Sequence, residues 1–210
     1  FGGAYSNRQA LRALFDMAER KGIARDRRIC TGDVVAYGAD GPGCIAEMRG
    51  RGGPAIAGNV EKQLAAEATD CGCGFEAGSV CAALSVGWYA HAQAACTEED
   101  RAWMAALPDW LVFRHGGRRY AVLHGGADDI SRFIWPSDAD AVFERQFSVL
   151  EDRLGPLDGV IAGHSGIPFH RRIGARDWIN AGAVGLPPND GAPETRYATL
   201  EKGRLTLHRL

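Results

Sequence analysis

Leu11, Leu14, Phe15 and Ala18 recur at helical spacing through Arg8–Arg20, which predicts an amphipathic helix with one buried face. Ser6 or Asn7 is suited to cap its start and Gly22 to end it. Arg28 to Cys30 then reads as a short strand closed by a turn at Gly32-Asp33. A second helix follows from about Pro42 to Arg51, because proline is tolerated in a first helical turn. PAIAGN, residues 54–59, is another apolar strand ending in a Gly-Asn turn, with a helix after it. Further on, Ala82 to Ala95 is helical around Leu84, Trp88 and Tyr89, and Thr97-x-x-Asp100 opens another helix with an acidic variant of the capping box. LVFRHGGRRYAVLHG carries two β-rich runs about a Gly-Gly pair and predicts a hairpin. Ser137 to Leu150 reads as a helix. The remainder is sheet, in short runs DGVIAGH, FHRRIG, DWINAG, RYATLE and RLTLHRL separated by turn residues.

Strand, turn and helix alternate from the start, and that alternation predicts an α/β sheet whose functional residues lie on loops at strand ends. With 210 residues and 46% hydrophobic content the chain can bury a full core, so a single domain is expected over 1–210. Within it, residues around 66–107 form a helical, cysteine-rich, cap-like segment. The formal charge of -2 comes from acids and bases interspersed along the chain, which argues against a nucleic-acid partner. No apolar run approaches the roughly 20 residues that cross a bilayer, and no basic segment followed by an apolar run opens the chain. The expectation is a cytoplasmic protein without a membrane partner. Because Phe1 stands where a first strand should already be under way, further residues are expected upstream.

Four short turns recur at strand ends: Gly32-Asp33, Gly58-Asn59, His124-Gly125 and Gly163-His164. Each offers one metal ligand. A carboxylate, an amide oxygen and two imidazoles form a nitrogen and oxygen set suited to Mn, Fe or Zn. Taken singly, an Asp after Gly is an ordinary turn residue and a His at a strand end an ordinary structural side chain.

In order, GD, GN, HG and GHS resemble the calcineurin-like metallophosphoesterases, whose pattern runs D-x-H, GD, GNH, HG and GHxH. The resemblance spans nearly the whole chain, including GDVVAYG, HGGADDISRFIWP and INAGAVGLPPNDGAPETRYATL, and is nearest to the compact bacterial and archaeal phosphodiesterase branch. It implies a four-layer α/β/β/α sandwich of two mixed sheets flanked by helices. It also implies that Asp33, Asn59, His124 and His164 hold one divalent ion. Departures are equally specific: Gly3 and Tyr5 stand where the family has Asp and His in its first motif, Gly166 replaces the last His, and Val60 replaces the His of GNH. The resemblance therefore implies a degenerate site with one remaining ion, or none. Two readings follow, a weak metal-dependent hydrolase of a phosphoric ester, or an inactive descendant that binds a phosphate-bearing ligand or a protein partner.

Other residues leave alternatives open. Ser6 and Asn7, ahead of the first helix, are candidates to bind a phosphate through the helix start, or simply cap it. Cys71, Cys73 and Cys81 in DCGCGFEAGSVC offer thiolates to a softer metal or a redox role; the plainer alternatives are buried reduced thiols or a Cys73 to Cys81 link. Cys96 lies in the same stretch, whereas Cys30 and Cys44 read as core. His115 falls at the hairpin turn and reads as solvated, Tyr37 as a packing residue, and His170 as a solvated strand edge beside Arg171 and Arg172. Trp88, Trp103 and Trp110 read as core or cap packing.

Overall fold

The computed structural model describes residues 1–210. Helix α1 spans Arg8–Arg20; Asn7 caps it by accepting from the Ala10 amide, and Leu11, Leu14, Phe15 and Ala18 face inward as their spacing requires. Helix α2, Gly41–Arg51, carries Pro42 in its first turn and is capped by Asp40. Helix α3, Asn59–Ala65, begins on the Gly58-Asn59 turn itself. Helices α4, Val80–Ala95, and α5, Glu98–Ala105, follow, the latter opened by the reciprocal Thr97–Asp100 bonds expected of a capping box.

Strands β1, Leu111–His115, and β2, Arg118–Val122, form the expected hairpin over Gly116 and Gly117, both at positive φ. Helix α6 covers Asp140–Leu154, later than the pattern predicts, because the Asp138 carboxylate accepts from the Trp135 amide and makes 135–138 a turn of its own. Strands β3, Gly159–Ala162, β4, Phe169–Ile173, and β5, Arg176–Asn180, complete a mixed sheet in the order β1-β2-β3-β5-β4. Its centre, β2-β3-β5, is parallel and both edges are antiparallel.

The second sheet is shorter. Strands β6, Arg196–Glu201, and β7, Arg204–Arg209, form its regular part. Beyond them single bridges continue the layer: the Arg196 amide donates to Ala183, Gly2 pairs with Ala183, the Thr31 amide donates to Phe1, and Cys30 pairs with Ala55. The stretches Arg28 to Cys30 and 54–59 therefore contribute one bridging pair where the apolar pattern predicts full strands. Pairing stops there because Gly32 at φ 92 and Asp33 at φ 54 turn the chain away at once.

Two buried clusters mark the layers. Phe143, Phe147 and Leu150 of α6 pack with Trp178, Val160 and Leu123 on the outer face of the five-stranded sheet. The larger cluster joins α1 to α5 with the second sheet, and Cys30 and Cys44 lie fully buried in it. Between the sheets runs a cavity of about 1230 Å³, lined by Phe113, Ile161 and Ile179 on one side and Ile29, Tyr197 and Leu205 on the other. The architecture is thus the α/β sandwich of two sheets flanked by helices. No helix is long and apolar enough to cross a membrane.

Candidate metal centre

Asp33 follows the Cys30 bridge, Asn59 the Ala55 bridge, His124 strand β2 and His164 strand β3. All four lie just beyond the carboxyl ends of parallel-paired segments, two from each sheet, so the facing of the sheets is what brings them together. His124 Nε2 stands 3.0 Å from Asn59 Oδ1, 3.1 Å from His164 Nδ1 and 3.2 Å from Asp33 Oδ2. Asp33, Asn59 and His124 are all at most 4% exposed.

The hydrogen-bond pattern decides which atoms face inward. His124 Nδ1 lies 2.7 Å from the Thr31 carbonyl, which only accepts, so Nδ1 carries the proton and Nε2 presents its lone pair to the cluster. Asn59 Nδ2 donates to the Cys71 carbonyl at 2.9 Å, so Oδ1 is the atom turned toward His124. Asp33 Oδ2, Asn59 Oδ1 and the His124 Nε2 lone pair therefore converge, with His164 Nδ1 beside them. Asp33 Oδ1 and His164 Nε2 are buried without any hydrogen-bond partner. Ligands at about 2.1 Å from a common ion and at right angles to one another lie about 3.0 Å apart, so the observed spacing fits a first-row cation.

The charges agree with this arrangement. Burial pushes His164 down to about 4, helped by the neighbouring His124, so its ring is neutral at pH 7 and free to ligate. Burial also disfavours charge on Asp33 and His124, but their mutual attraction and hydrogen bond outweigh it, lowering the Asp33 pKa and raising that of His124.

Glycine is required where the two turns meet. A Cβ on Gly32 would lie 2.8 Å from His124 Nδ1, and one on Gly58 would collide with the Asp33 carboxylate. Asp33 and His164 adopt left-handed backbone, at φ 54 and 59, and nearby Tyr5, Ser6 and Tyr37 do the same. Each such residue costs about 1–3 kcal/mol, and five of them crowd one corner of the molecule.

Glu61 is the component that the motif order does not single out. Fully buried, its Oε2 accepts from the amides of Asp33 and Gly58, both at 2.8 Å, and its Oε1 from Val35 at 3.1 Å. One carboxylate thus ties the Gly32-Asp33 turn to the Gly58-Asn59 turn; burial and the Asp33 charge raise its pKa. Its only signal in the sequence is a Glu at the third position of α3, the acidic half of a capping box.

The positions where the sequence departs from the resemblance are also drawn together. The Tyr5 ring lies against Gly3, where a Cβ would overlap its carbons, and its hydroxyl is 3.3 Å from where a Gly166 Cβ would be. Tyr5 is 6% exposed and edge-on to Tyr37, which in turn meets Trp88. Val60 turns into the core. Phe133 covers the other side, its ring 4.3 Å from that of His164 and stacked on Trp135 and Phe75.

Several candidates take structural duties. The Ser6 hydroxyl accepts from the Ala36 amide, and the Asn7 side chain is divided between the α1 cap and the Gly185 carbonyl. His170 lies exposed on the edge strand β4, as expected, and is bonded to Asp177 at 2.8 Å. His115 stays half-exposed, accepting only from Gly203. The cysteines pair as Cys71–Cys73, so a Cys73 to Cys81 link does not form; Cys81 is free and exposed and Cys96 free and buried. Cys73 Sγ lies 3.4 Å from Asn59 Nδ2, which puts the pair behind the Asn59 amide, on the side away from His124.

No protein-family model matches the sequence, and no curated protein does. Solved structures match its fold. A metallophosphoesterase from Sphaerobacter thermophilus aligns with 100% of this chain and 86% of its own at a TM-score of 0.73 and 20% identity. A hypothetical protein from Pyrococcus horikoshii OT3 covers 100% and 85% at 0.71 and 16%. The phosphoesterase Yfce from E. coli covers 97% and 87% at 0.54 and 15%. This chain has the fold of those structures, the Sphaerobacter metallophosphoesterase among them, as the order of its four turns implies.

Proposed function

We propose that this protein is a metal-dependent phosphoesterase that works with one divalent ion, held by Asp33, Asn59, His124 and His164, and hydrolyses a phosphoric ester. The observation that carries the proposal is the convergence of Asp33, Asn59, His124 and His164 on one buried point, where Asp33 Oδ1 and His164 Nε2 have no hydrogen-bond partner. A cation there takes a lone pair from each of the four side chains at once. The donor set suits Mn, Fe or Zn, and the fold likeness supports the reaction class. When bound, the ion supplies Lewis acidity toward a phosphoryl oxygen.

The chain's own residues do the rest. Thr31 and Glu61 hold His124 and the two turns in register. Burial, reinforced by the Asp33 charge, raises the Tyr5 phenol well above its ordinary pKa and keeps it a neutral donor at the site's edge. The one-ion reading rests on that same ring, which lies across Gly3 and reaches Gly166, the two positions where the resemblance expects further ligands. Loss of the second ion removes the clamp on attacking and leaving oxygens, so turnover is expected to be slow.

The same filling of the site by Tyr5 favours a second reading, a non-catalytic protein that binds a phosphate-bearing ligand. Metal analysis together with hydrolysis of p-nitrophenyl phosphate and bis-p-nitrophenyl phosphate in added Mn separates the two. The enzyme reading expects about one Mn per chain and turnover abolished in His124→Ala. Bound Mn without turnover on either ester favours the binder, and absence of Mn binding overturns the metal centre itself.

A further inference from the structure

The Cys-Gly-Cys bend sits against Asn59, whose orientation depends on a hydrogen bond to that bend. Asn59 is an amide, and turning it by half a revolution exchanges oxygen for NH₂. What prevents that turn is the Cys71 carbonyl, which accepts from Nδ2 at 2.9 Å, with Cys73 Sγ on the same nitrogen at 3.4 Å. Both cysteines are 5% exposed and their sulfurs are joined. Gly72 between them has φ 59, which brings the two side chains to one side, and it is anchored by the Ser131 hydroxyl bonding to its carbonyl and by its amide donating to Asp70.

We infer that Cys71 and Cys73 form a redox-operated clasp on Asn59: the closed disulfide holds the amide oxygen toward the metal centre, and the open dithiol releases it. The inference rests on the proposed role of Asn59 as a ligand. Closing joins the two sulfurs and removes two protons and two electrons, which pass to a small-molecule disulfide such as oxidised glutathione, cleaving it to two thiols. A dithiol or phosphine reductant reverses the step. In the open form only the Ser131 and Asp70 bonds to Gly72 still hold the bend, so the Cys71 carbonyl that fixes the rotation of Asn59 is held less firmly. Loss of an outer partner of a ligand commonly costs about 10- to 100-fold in metal affinity.

The experiment uses the full chain carrying Cys81→Ser, so that the exposed free thiol does not take part. The protein is equilibrated with oxidised glutathione or with phosphine reductant, and mass spectrometry of the peptide holding both cysteines reports which form is present. Two measurements follow on each form: the Asn59 side-chain amide resonances without metal, and the Mn dissociation constant by calorimetry. The clasp predicts distinct, slowly exchanging Asn59 amide protons in the closed form only, and about 10- to 100-fold weaker Mn binding in the open form. A Cys71→Ser/Cys73→Ser variant, checked for native circular dichroism, should behave as the open form under both conditions. Asn59 signals that ignore the redox state, or a serine variant that matches the closed form, overturn the clasp, as do two free thiols under oxidising conditions. If the Asn59 signals respond and neither form binds Mn, the clasp stands and the metal reading falls.

Discussion

Glu61 has the largest structural effect of any single side chain at the centre, because three backbone amides on two separate turns depend on it. Hydrogen bonds to a charged group contribute about 1.5–3 kcal/mol each, and an unpaired buried amide is costly. Glu61→Ala is therefore expected to lower stability by about 3 kcal/mol or more in urea denaturation, and to weaken Mn binding since Asp33 and Asn59 lose their common tether. Glu61→Gln, which keeps one acceptor, should cost markedly less. Tyr5 permits a test in the opposite direction. If its ring stands where a second ion would lie, then Gly3→Asp, Tyr5→His and Gly166→His together should raise the Mn content from about one toward two per chain, and an unchanged count would refute that reading. The candidate ligands Asp33, Asn59, His124 and His164 are legible in the sequence because each occupies a short motif with glycine beside it. Glu61 and Phe133 are not, since a carboxylate bonded to distant amides and a ring leaning on a histidine look like any other glutamate and phenylalanine until the chain is folded.

At the scale of elements, local chemistry predicts well wherever a helix or hairpin needs only its own residues. Thr97 and Asp100 exchange bonds at the start of α5 as their spacing requires, and Thr97→Ala should cost about 1 kcal/mol, read as a shift in the denaturation midpoint. The strand expectations fail where pairing is set by distant partners: 28–30 and 54–59 are apolar enough for strands, yet one bridge forms before the turns at Gly32 and Gly58. The partner of His170 is likewise set at a distance, since only the antiparallel β4–β5 pairing brings Asp177 beside it. Burial alone would raise the Asp177 pKa, but hydrogen bonds from His170 and Arg118 more than offset it, so the pKa is lowered in the folded protein. A carboxylate with a depressed folded pKa adds stability that is present above the unfolded value of 3.8 and vanishes as pH falls through the folded one. Asp177→Asn should thus lose about 1–3 kcal/mol at pH 7, and the gap from the parent should close once the pH drops below 3.8 in matched urea titrations.

Across the whole molecule, the two sheets meet with their parallel strand ends on the same side, and the candidate metal centre lies along the line where they meet. Its rigidity depends on cores remote from it. Trp178, fully buried, stands edge-on to Phe143 and Phe147 and joins α6 to strand β5, which runs on into Ala181 and Gly182. Trp178→Ala should cost about 3–5 kcal/mol and lower the melting temperature by roughly 6–20 °C, while retaining Mn binding below the transition.

The sequence alone determines the order of elements, the caps and hairpin, and which four side chains are available to a cation, because helix periodicity, capping and turn glycines act over a few residues. Only the tertiary structure decides that those side chains face one another, that Glu61 ties their turns together, that Tyr5 lies between two distant glycines, and that Cys71 pairs with Cys73 behind Asn59. Each of these is a contact between groups far apart in the chain or between interchangeable partners, and the packing of the two sheets selects among them.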